Sequence, residues 1–294
     1  MDVAVIGATG FVGRHLVPVL EARGHRVRAV SRSGRRLEGW SPEVVQLAGD
    51  VETGAGVEAA LLGADAVVHL VAIPRERGGR TFERVNVRGT ACVVTAARTA
   101  GVRRFVHVSA LGVTDDRRLR FLSSKWRGEQ LVRESPLEWV VLRPSLLFGP
   151  GDGFFSLIRT TLTWWSPGIV VIPGDGTTRF QPLAVDDLAH AIECCVVEPG
   201  RPGSVIELGG PAYLTYREIV RAVMEVTGKR RLMVNVPVPL LRALTAVTDR
   251  VLPVFPVSHD QIGSLRQPNW TDLAAYRRAF GREPRPFDIG YLAV

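Results

Sequence analysis

The chain is poor in cysteine and lysine, and it has no long apolar run. Three of its 294 residues are cysteines, and the 37 basic residues less two lysines leave 35 arginines. No C-x-x-C pair occurs, so we expect neither a disulfide framework nor a metal site. Without 18 consecutive apolar residues a membrane-spanning helix is not expected. The first apolar segment follows the initial Met without a charged leader, so we expect a cytoplasmic protein.

Acidic residues are outnumbered, which gives a net charge of +8 and a pI near 10.2. A basic surface attracts phosphate backbones. The arginines are nevertheless scattered and form no pattern of a nucleic-acid-binding module, so we expect no nucleic-acid partner. We interpret the clusters at 35–36, 75–80 and 117–120 as solvated basic faces. The alternative is contact with an anionic cofactor, a membrane or a protein.

Apolar segments alternate with helical patterns over the first half of the chain, which is typical of a doubly wound parallel α/β sheet, the Rossmann fold. The strand-like segments are VAVIG, VRAVS, EVVQLAG, AVVHLVA, RFVHVSA and EWVVLRP. We expect a single α/β unit over residues 1–294. Its dinucleotide-binding core spans about 1–150, and about 151–294 holds later sheet elements and a small C-terminal substrate lobe.

Three further segments complete the predicted elements. A helix over 81–100 is long enough to connect the fourth strand to the fifth, and Gly101 is placed to end it. Beyond residue 150 we expect a strand near 168–172, a helix over 185–197 and a strand in SVIEL. The apolar pattern over 239–252 predicts a helix that packs on the lobe. The alternative is that this helix meets a membrane surface or a partner.

The most informative motif is VAVIGATGFVGRHL, in which three glycines follow an apolar strand and open a helix. In a dinucleotide-binding turn the first glycine permits a sharp exit from the strand. The second lets backbone N–H groups approach a pyrophosphate, and the third lets the helix pack closely. We expect this turn to contact the cofactor through Gly7, Thr9, Gly10, Phe11, Val12 and Gly13.

The end of the second strand indicates which dinucleotide is bound. An acidic residue there would take the ribose hydroxyls of NAD, whereas an arginine accommodates the 2′-phosphate of NADP. No acidic residue occurs here, so NADP(H) is favoured over NAD(H). The expected contacts are Ser31, Arg32, Ser33 and Arg36. Further expected cofactor contacts follow the third, fourth and fifth strands: Asp50, Val51, Leu70, Val71, Ala72 and Val108. Asp50 has an equal alternative as an ordinary turn aspartate.

These motifs, together with VNVRGT, FVHVSA, LRPSLLFGPGDG and RFQPLAVDDLAHAI, make the chain resemble an atypical or extended short-chain dehydrogenase/reductase, of the NAD-dependent epimerase/dehydratase-like kind. Within that superfamily it is most similar to the group of the NADPH-binding accessory subunit of respiratory complex I. The resemblance implies that Pro144, Ser145 and Leu146 line the nicotinamide end. It alone implies association with a respiratory complex or with the periphery of a membrane.

The superfamily uses a serine, a tyrosine and a lysine, with Tyr-x-x-x-Lys on one helix face. The resemblance assigns Ser109 and Lys125 to the serine and lysine positions, and Asn86 to a frequent supporting asparagine. The same lysine also binds the nicotinamide ribose. Phe121 stands at the tyrosine position, and phenylalanine has no proton to give.

Two functions remain open, and whether the protein is an enzyme is undecided from sequence. One is an NADP(H)-binding accessory, assembly or sensing module that does not need the phenol. The alternative is an NADPH-dependent oxidoreductase of an apolar carbonyl or quinone-like substrate, with Lys125 or a water as proton donor. Its expected substrate contacts are Phe154, Phe155, Arg179 and Gln181, with Trp164 and Trp165 adding to an apolar pocket. The aromatic residues have an alternative as a buried helix face, and Arg179 as the partner of Asp186 or Asp187.

Overall fold

A computed structural model describes residues 1–160, 162, 168–198, 201–241, 243, 267 and 269–292. The chain forms two compact units, one of Met1–Pro144 with Val185–Leu208 and one of Ser145–Ala184 with Gly209–Val294. The predicted division near residue 150 stays a prediction. Trp164 and Trp165 lie outside the described residues, as do residues 242 and 244–252 of the predicted helix 239–252.

The first unit is built on a seven-stranded sheet in which every adjacent pair of strands is parallel. Strands are numbered in chain order, and those of this sheet are β1 (Asp2–Ile6), β2 (Arg26–Ser31), β3 (Val45–Ala48), β4 (Ala66–His69), β5 (Arg104–Val108), β6 (Glu138–Pro144) and β11 (Ser204–Leu208). Their order across the sheet is β11-β6-β5-β4-β1-β2-β3. The chain thus winds outward in both directions from β1 and β4, which confirms the predicted Rossmann fold.

Helices connect these strands. They are α1 (Phe11–Ala22), α2 (Val57–Leu61), α3 (Gly89–Thr99), α4 (Arg120–Arg133) and α6 (Val185–Val197). The predicted helix over 81–100 consists of a π-helical stretch, Glu83–Arg88, that continues into α3. Gly101 follows it with a φ of 71°. The helix is therefore present, but its first turns are wider than an α-helix.

The core of the first unit lies on both faces of the sheet because side chains alternate along each strand. On β1, Ala4 and Ile6 belong to a cluster with apolar residues of α2, α3 and α4. Val3 and Val5 point to the opposite face and are also fully buried. Helices α1 and α6 pack against each other. Both faces are covered, as continuous apolar strands of a parallel sheet require.

Among its described residues, the second unit has three two-stranded sheets and several helices. Its strands are β7 (Leu147–Phe148), β8 (Ile169–Pro173), β9 (Arg179–Phe180), β10 (Leu183–Ala184), β12 (Leu214–Thr215) and β13 (Leu232–Val236). They pair as β7 with β10, β8 with β13 and β9 with β12. Its helices are α5 (Phe154–Thr160), α7 (Tyr216–Thr227), α8 (Ala275–Phe280) and a 3₁₀-helix (Ile289–Leu292). Across the part of the chain described, we find no helix with the length and apolarity needed to cross a membrane.

Candidate functional site

The turn between β1 and α1 has the geometry that the three glycines predict. Gly7 adopts a φ of 93°, which a residue with a side chain rarely adopts. A Cβ on Gly13 would lie 2.4 Å from the backbone oxygen of Ala8, so only glycine fits there. Gly10 caps α1 without a side-chain hydrogen bond, and the first turn of the helix has no acidic residue. No side chain caps the N-terminal N–H groups of α1, so these groups can bind an anion.

The other residues predicted in this turn lie around it. Thr9 accepts a hydrogen bond on its backbone oxygen from Nε of Arg14, at 2.9 Å. The ring of Phe11 meets His15 edge-on, with 5.6 Å between centroids. Val12 is half-buried. These contacts hold the first turn of α1 in place.

The end of β2 presents basic and hydroxyl groups. Ser31 is buried, and its backbone oxygen accepts hydrogen bonds from the N–H groups of Gly34 and Gly49. Arg32 and Arg36 are exposed, and neither side chain forms a hydrogen bond or ion pair with any described residue. The Ser33 hydroxyl accepts from the backbone N–H of Arg35 at 3.2 Å. Two guanidinium groups are therefore free to meet an anion beside this strand.

Asp50 and Val51 shape the turn after β3. Oδ1 of Asp50 accepts a hydrogen bond from the N–H of Glu52 at 2.9 Å, which is the contact of an ordinary Asx turn. Val51 is buried, and its side chain would lie 2.9 Å from a Cβ on Gly89 at the start of α3. The turn contact agrees with the second interpretation of Asp50, and the cofactor contact stays a prediction.

The segment after β4 runs alongside the glycine turn. The N–H of Leu70 donates to the oxygen of Ile6 at 2.9 Å. Leu70, Val71 and Ala72 are half-buried, and the side chain of Val71 would lie 3.0 Å from a Cβ on Gly7. The structure thus brings the first turn and the predicted backbone wall together at the carboxyl edge of the sheet, where ligands of this fold bind.

Asn86 anchors that wall. Its Oδ1 accepts from the N–H of Ile73 at 2.9 Å, and its Nδ2 donates to the oxygen of Ile73 at 3.3 Å and to the Ser124 hydroxyl at 2.9 Å. The side chain is buried, and its amide oxygen and both amide protons form hydrogen bonds. Asn86 therefore acts as a positioning residue that ties the segment after β4 to α4.

Lys125 and Ser109 both lie near the end of β5. Nζ of Lys125 donates to the backbone oxygen of Val108 at 2.7 Å, one residue before Ser109. Both side chains are 5% exposed. Burial lowers the pKa of Lys125 to about 8, and the Glu129 carboxylate opposes this shift by favouring the ammonium. Oγ of Ser109 has no hydrogen-bond partner among the described residues. A buried hydroxyl without a partner is costly, which makes it a candidate contact for a ligand.

Two histidines beside Lys125 were not predicted from the sequence. His69 and His107 are partners in neighbouring strands, and their rings stack with 5.3 Å between centroids. Nε2 of His69 lies 3.0 Å from the Thr90 hydroxyl, while neither ring nitrogen of His107 has a partner among the described residues. Burial, and then the Lys125 charge, lower the pKa of His69 to about 3 and that of His107 well below its usual value. Both rings are therefore neutral at physiological pH. His69 is the last residue of β4 and His107 the next-to-last of β5, and this placement was the available sequence signal.

Phe121 stands one turn before Lys125 on α4 and faces an apolar cluster. Its ring centroid is 5.8 Å from that of Phe82, and it packs with Ile73 and Val85. The site therefore holds the superfamily's lysine and serine beside a side chain that cannot donate a proton.

Of the three residues predicted at the nicotinamide end, Pro144 belongs to the first unit, and the two that follow it belong to the second. Pro144 ends β6, and its oxygen accepts from the N–H of Leu111 at 2.9 Å. Ser145 and Leu146 belong to the second unit, where Asn269 holds them. The Ser145 hydroxyl is 2.8 Å from Oδ1 of Asn269, which also accepts from the N–H of Leu146 at 2.9 Å. Asn269 was not predicted from the sequence, because no local pattern indicates a hydrogen-bond partner 124 residues after Ser145.

The predicted substrate residues lie in the second unit, and three of them have structural contacts there. Phe155 is 1% exposed in an aromatic core, and half-buried Phe154 meets it edge-on at 5.3 Å. Nε2 of Gln181 donates to the oxygen of Gly210, and its Oε1 accepts from the N–H of Thr271, both at 2.7 Å. Arg179 is exposed and forms no ion pair with a described residue. A substrate role for these four residues stays a prediction.

Comparison with known families identifies this arrangement. Residues 7–156 match the family described as NAD(P)H-binding. The chain belongs to that family. It is a pyridine-nucleotide-binding member of the atypical short-chain dehydrogenase/reductase superfamily, which confirms the resemblance seen in the sequence.

Similar proteins include both respiratory subunits and enzymes. The chain is 29% identical to the mitochondrial NADH dehydrogenase [ubiquinone] 1 alpha subcomplex subunit 9 of Arabidopsis thaliana, over 90% of this chain and 68% of the relative. It is 31% identical to the ceramide reductase of Caulobacter vibrioides, over 84% and 77%. Among solved structures, MoeE5 in complex with UDP-glucuronic acid and NAD is 27% identical and covers 98% of this chain and 95% of its own, with a TM-score of 0.75.

Proposed function

We propose that the protein binds NADP(H) in preference to NAD(H) and serves as a nucleotide-binding accessory, assembly or sensing module. The observation that carries this proposal is Phe121, which stands one turn before Lys125 where the superfamily's reductases need a proton-donating phenol. The cofactor-binding half of the site keeps its glycines, its lysine and its serine. A site that can bind the nucleotide but lacks the phenol that donates the proton is suited to holding the nucleotide without reducing a substrate.

The preference for NADP(H) rests on Arg32 and its neighbours. Arg32 is exposed, has no partner among the described residues, and has no acidic neighbour between residues 31 and 37. A 2′-phosphate would accept a charge-assisted hydrogen bond from it, and such a bond contributes about 1.5–3 kcal/mol. This corresponds to about a 10- to 100-fold difference in affinity.

Replacing that arginine tests the preference. We expect Arg32→Ala to weaken NADPH binding by at least about tenfold and to leave NADH binding almost unchanged, measured by titration of nicotinamide fluorescence. Arg98→Ala is the matched control, because Arg98 is also exposed, carries the same charge and lies in the last turn of α3. Equal losses for both nucleotides in Arg32→Ala would contradict the assigned role.

The accessory role is supported by the similarity to the subunit from Arabidopsis and, at 26% identity over 92% of this chain, to the 40 kDa subunit of NADH-ubiquinone oxidoreductase from Neurospora crassa. In this proposal the protein keeps its nucleotide bound through the glycine turn, Lys125 and Ser109. An association with a respiratory complex or with a membrane periphery is part of the same proposal and rests on that resemblance alone.

The second candidate is an NADPH-dependent reductase of an apolar carbonyl or quinone-like compound. It is favoured by the lowered pKa of Lys125, by the unpartnered Oγ of Ser109 and by the similarity to ceramide reductase. In this reaction Lys125 or a water would donate the proton to the substrate oxygen, and NADPH, when bound, would supply the hydride. A lysine that titrates near pH 8 is a competent acid at neutral pH.

Consumption of NADPH separates the two candidates. We expect the NADPH signal of the purified protein to stay constant through a panel of quinones and aldehydes. Oxidation of NADPH by one compound would favour the second candidate, provided that Lys125→Ala abolishes the oxidation and still binds the nucleotide. The protein would then be a reductase and not an accessory module.

A further inference from the structure

A cluster of metal-binding side chains lies on α6, away from the residues assigned to the nucleotide. Glu193 and Cys194 follow His190 by three and four residues, which places both beside His190 on the next turn of the helix. Sγ of Cys194 is 3.6 Å from Nε2 of His190 and 3.9 Å from Oε2 of Glu193. One ligand atom from each residue lies within 4.8 Å of the others. Three different donor types thus lie close together.

A fourth donor comes from His25, in the turn between α1 and β2. Its side chain is 7% exposed, and its Nε2 lies 3.7 Å from Oε1 of Glu193. Neither of its ring nitrogens has a hydrogen-bond partner in the described part of the chain. A buried imidazole without partners carries a desolvation cost, and here the ring points at the carboxylate of the cluster. This is an observation independent of the helix spacing.

The donor set and its dimensions suit a tetrahedral ion. Around zinc, with bonds of about 2.0–2.3 Å, neighbouring nitrogen, oxygen and sulfur ligands lie about 3.3–3.6 Å apart. Three of the six separations among the four donors are 3.6, 3.7 and 3.9 Å, within a few tenths of an ångström of this range, with Oε1 of Glu193 nearest His25 and Oε2 nearest Cys194. The donor atoms of His190, Glu193 and Cys194 all lie within 4.8 Å of one another, so small side-chain rotations would close the site around an ion. Imidazole and thiolate ligands together select zinc over magnesium or calcium. We propose that His25, His190, Glu193 and Cys194 bind one zinc ion.

The charges near the cluster are compatible with a divalent cation. Arg201 and Arg23 lie near Cys194, but Arg201 is paired with the carboxylate of Glu198. Glu193 itself adds a negative charge, so the arginines do not leave the cluster strongly positive. A bound ion would link the turn after α1 to α6. Because α1 and α6 pack together, the ion would stabilise the helix that follows the glycine turn.

Cobalt is the spectroscopic probe for this site. We titrate the tag-free, chelator-treated full chain with Co²⁺ and follow the thiolate-to-cobalt charge-transfer absorption. The expected result is saturation at one ion per chain and loss of the band on addition of zinc. Cys194→Ser removes the band, whereas Cys195→Ser keeps it because the adjacent Cys195 is not among the proposed ligands. Cys92→Ser is a second control if Cys195→Ser does not fold.

The contribution of His25 is tested separately. His25→Ala weakens cobalt binding by at least about tenfold, because loss of a ligand costs no less than loss of a group that merely orients one, which is about 10- to 100-fold. His15→Ala, on the neighbouring helix and outside the cluster, does not. Zinc raises the melting temperature of the wild-type chain and of Cys195→Ser, but not that of Cys194→Ser. Absence of a charge-transfer band at saturating Co²⁺, or an equal band in Cys194→Ser, overturns the proposal.

Discussion

The ionisation of Lys125 provides a direct test of the site geometry. Its side chain is 5% exposed and donates to the backbone oxygen of Val108. Burial removes water from the ammonium and lowers its pKa from 10.5 to about 8, while Glu129 limits the shift. We therefore expect Lys125 to be half-titrated near pH 8 in the folded chain.

This lowered pKa has a stability consequence with a definite sign. The difference between 10.5 and about 8 corresponds to about 3 kcal/mol, since each tenfold step is about 1.4 kcal/mol. Below pH 8 the charged lysine destabilises the fold by that full amount. Between pH 8 and 10.5 the unfolded chain still binds a proton that the folded chain has released, so the contribution of Lys125 to stability improves as pH rises.

The pKa of Lys125 can be measured directly by NMR, because Lys125 and Lys229 are the only lysines in the sequence. With ¹³C-labelled lysine, NMR shows two ε-carbon signals, and Lys125→Met assigns them. Exposed Lys229 is the internal reference. A Lys125 signal that titrates near pH 8 supports the buried geometry. Titration near 10.5 would refute the reasoning from burial.

Three further substitutions test the structure. Gly13→Ala places a Cβ 2.4 Å from a backbone oxygen, so the affinity for the nucleotide should fall at least about tenfold. Gly153→Ala is the control, because a Cβ there meets no atom within 4 Å and should leave the affinity unchanged. Unchanged affinity in Gly13→Ala would contradict the role of the turn. Asn86→Ala leaves two backbone groups after β4 without their partner and should cost about 2–4 kcal/mol in urea denaturation, and a loss below about 1 kcal/mol would argue against the anchor. Glu129→Gln removes a carboxylate that favours the ammonium, so the Lys125 titration should move to lower pH; a move upward would show that another group controls it.

Much of the first unit could be predicted from local sequence. Helix α6 and strand β11 have the predicted bounds, Val185–Val197 and Ser204–Leu208. Both are apolar segments with clear limits, and buried parallel strands read as continuous apolar runs. The glycine spacing likewise predicted the first turn, because the need for glycine at Gly7 and Gly13 is a local steric property.

The features that sequence did not predict depend on contacts between distant residues. Asn269 holds Ser145 through a hydrogen bond that spans 124 residues. His69 and His107 meet only because β4 and β5 are neighbours in the sheet. The cysteine spacing predicted no metal site, and the proposed one joins His25 to three residues of α6, a combination that has no C-x-x-C signature. Such contacts require the fold before they can be recognised.

The most direct test of the central claim is a titration of the purified full chain with NADPH and with NADH, followed by nicotinamide fluorescence. The account predicts saturable binding of both nucleotides with NADPH bound at least about tenfold more tightly. Tighter binding of NADH, or no saturable binding of either nucleotide, would contradict it.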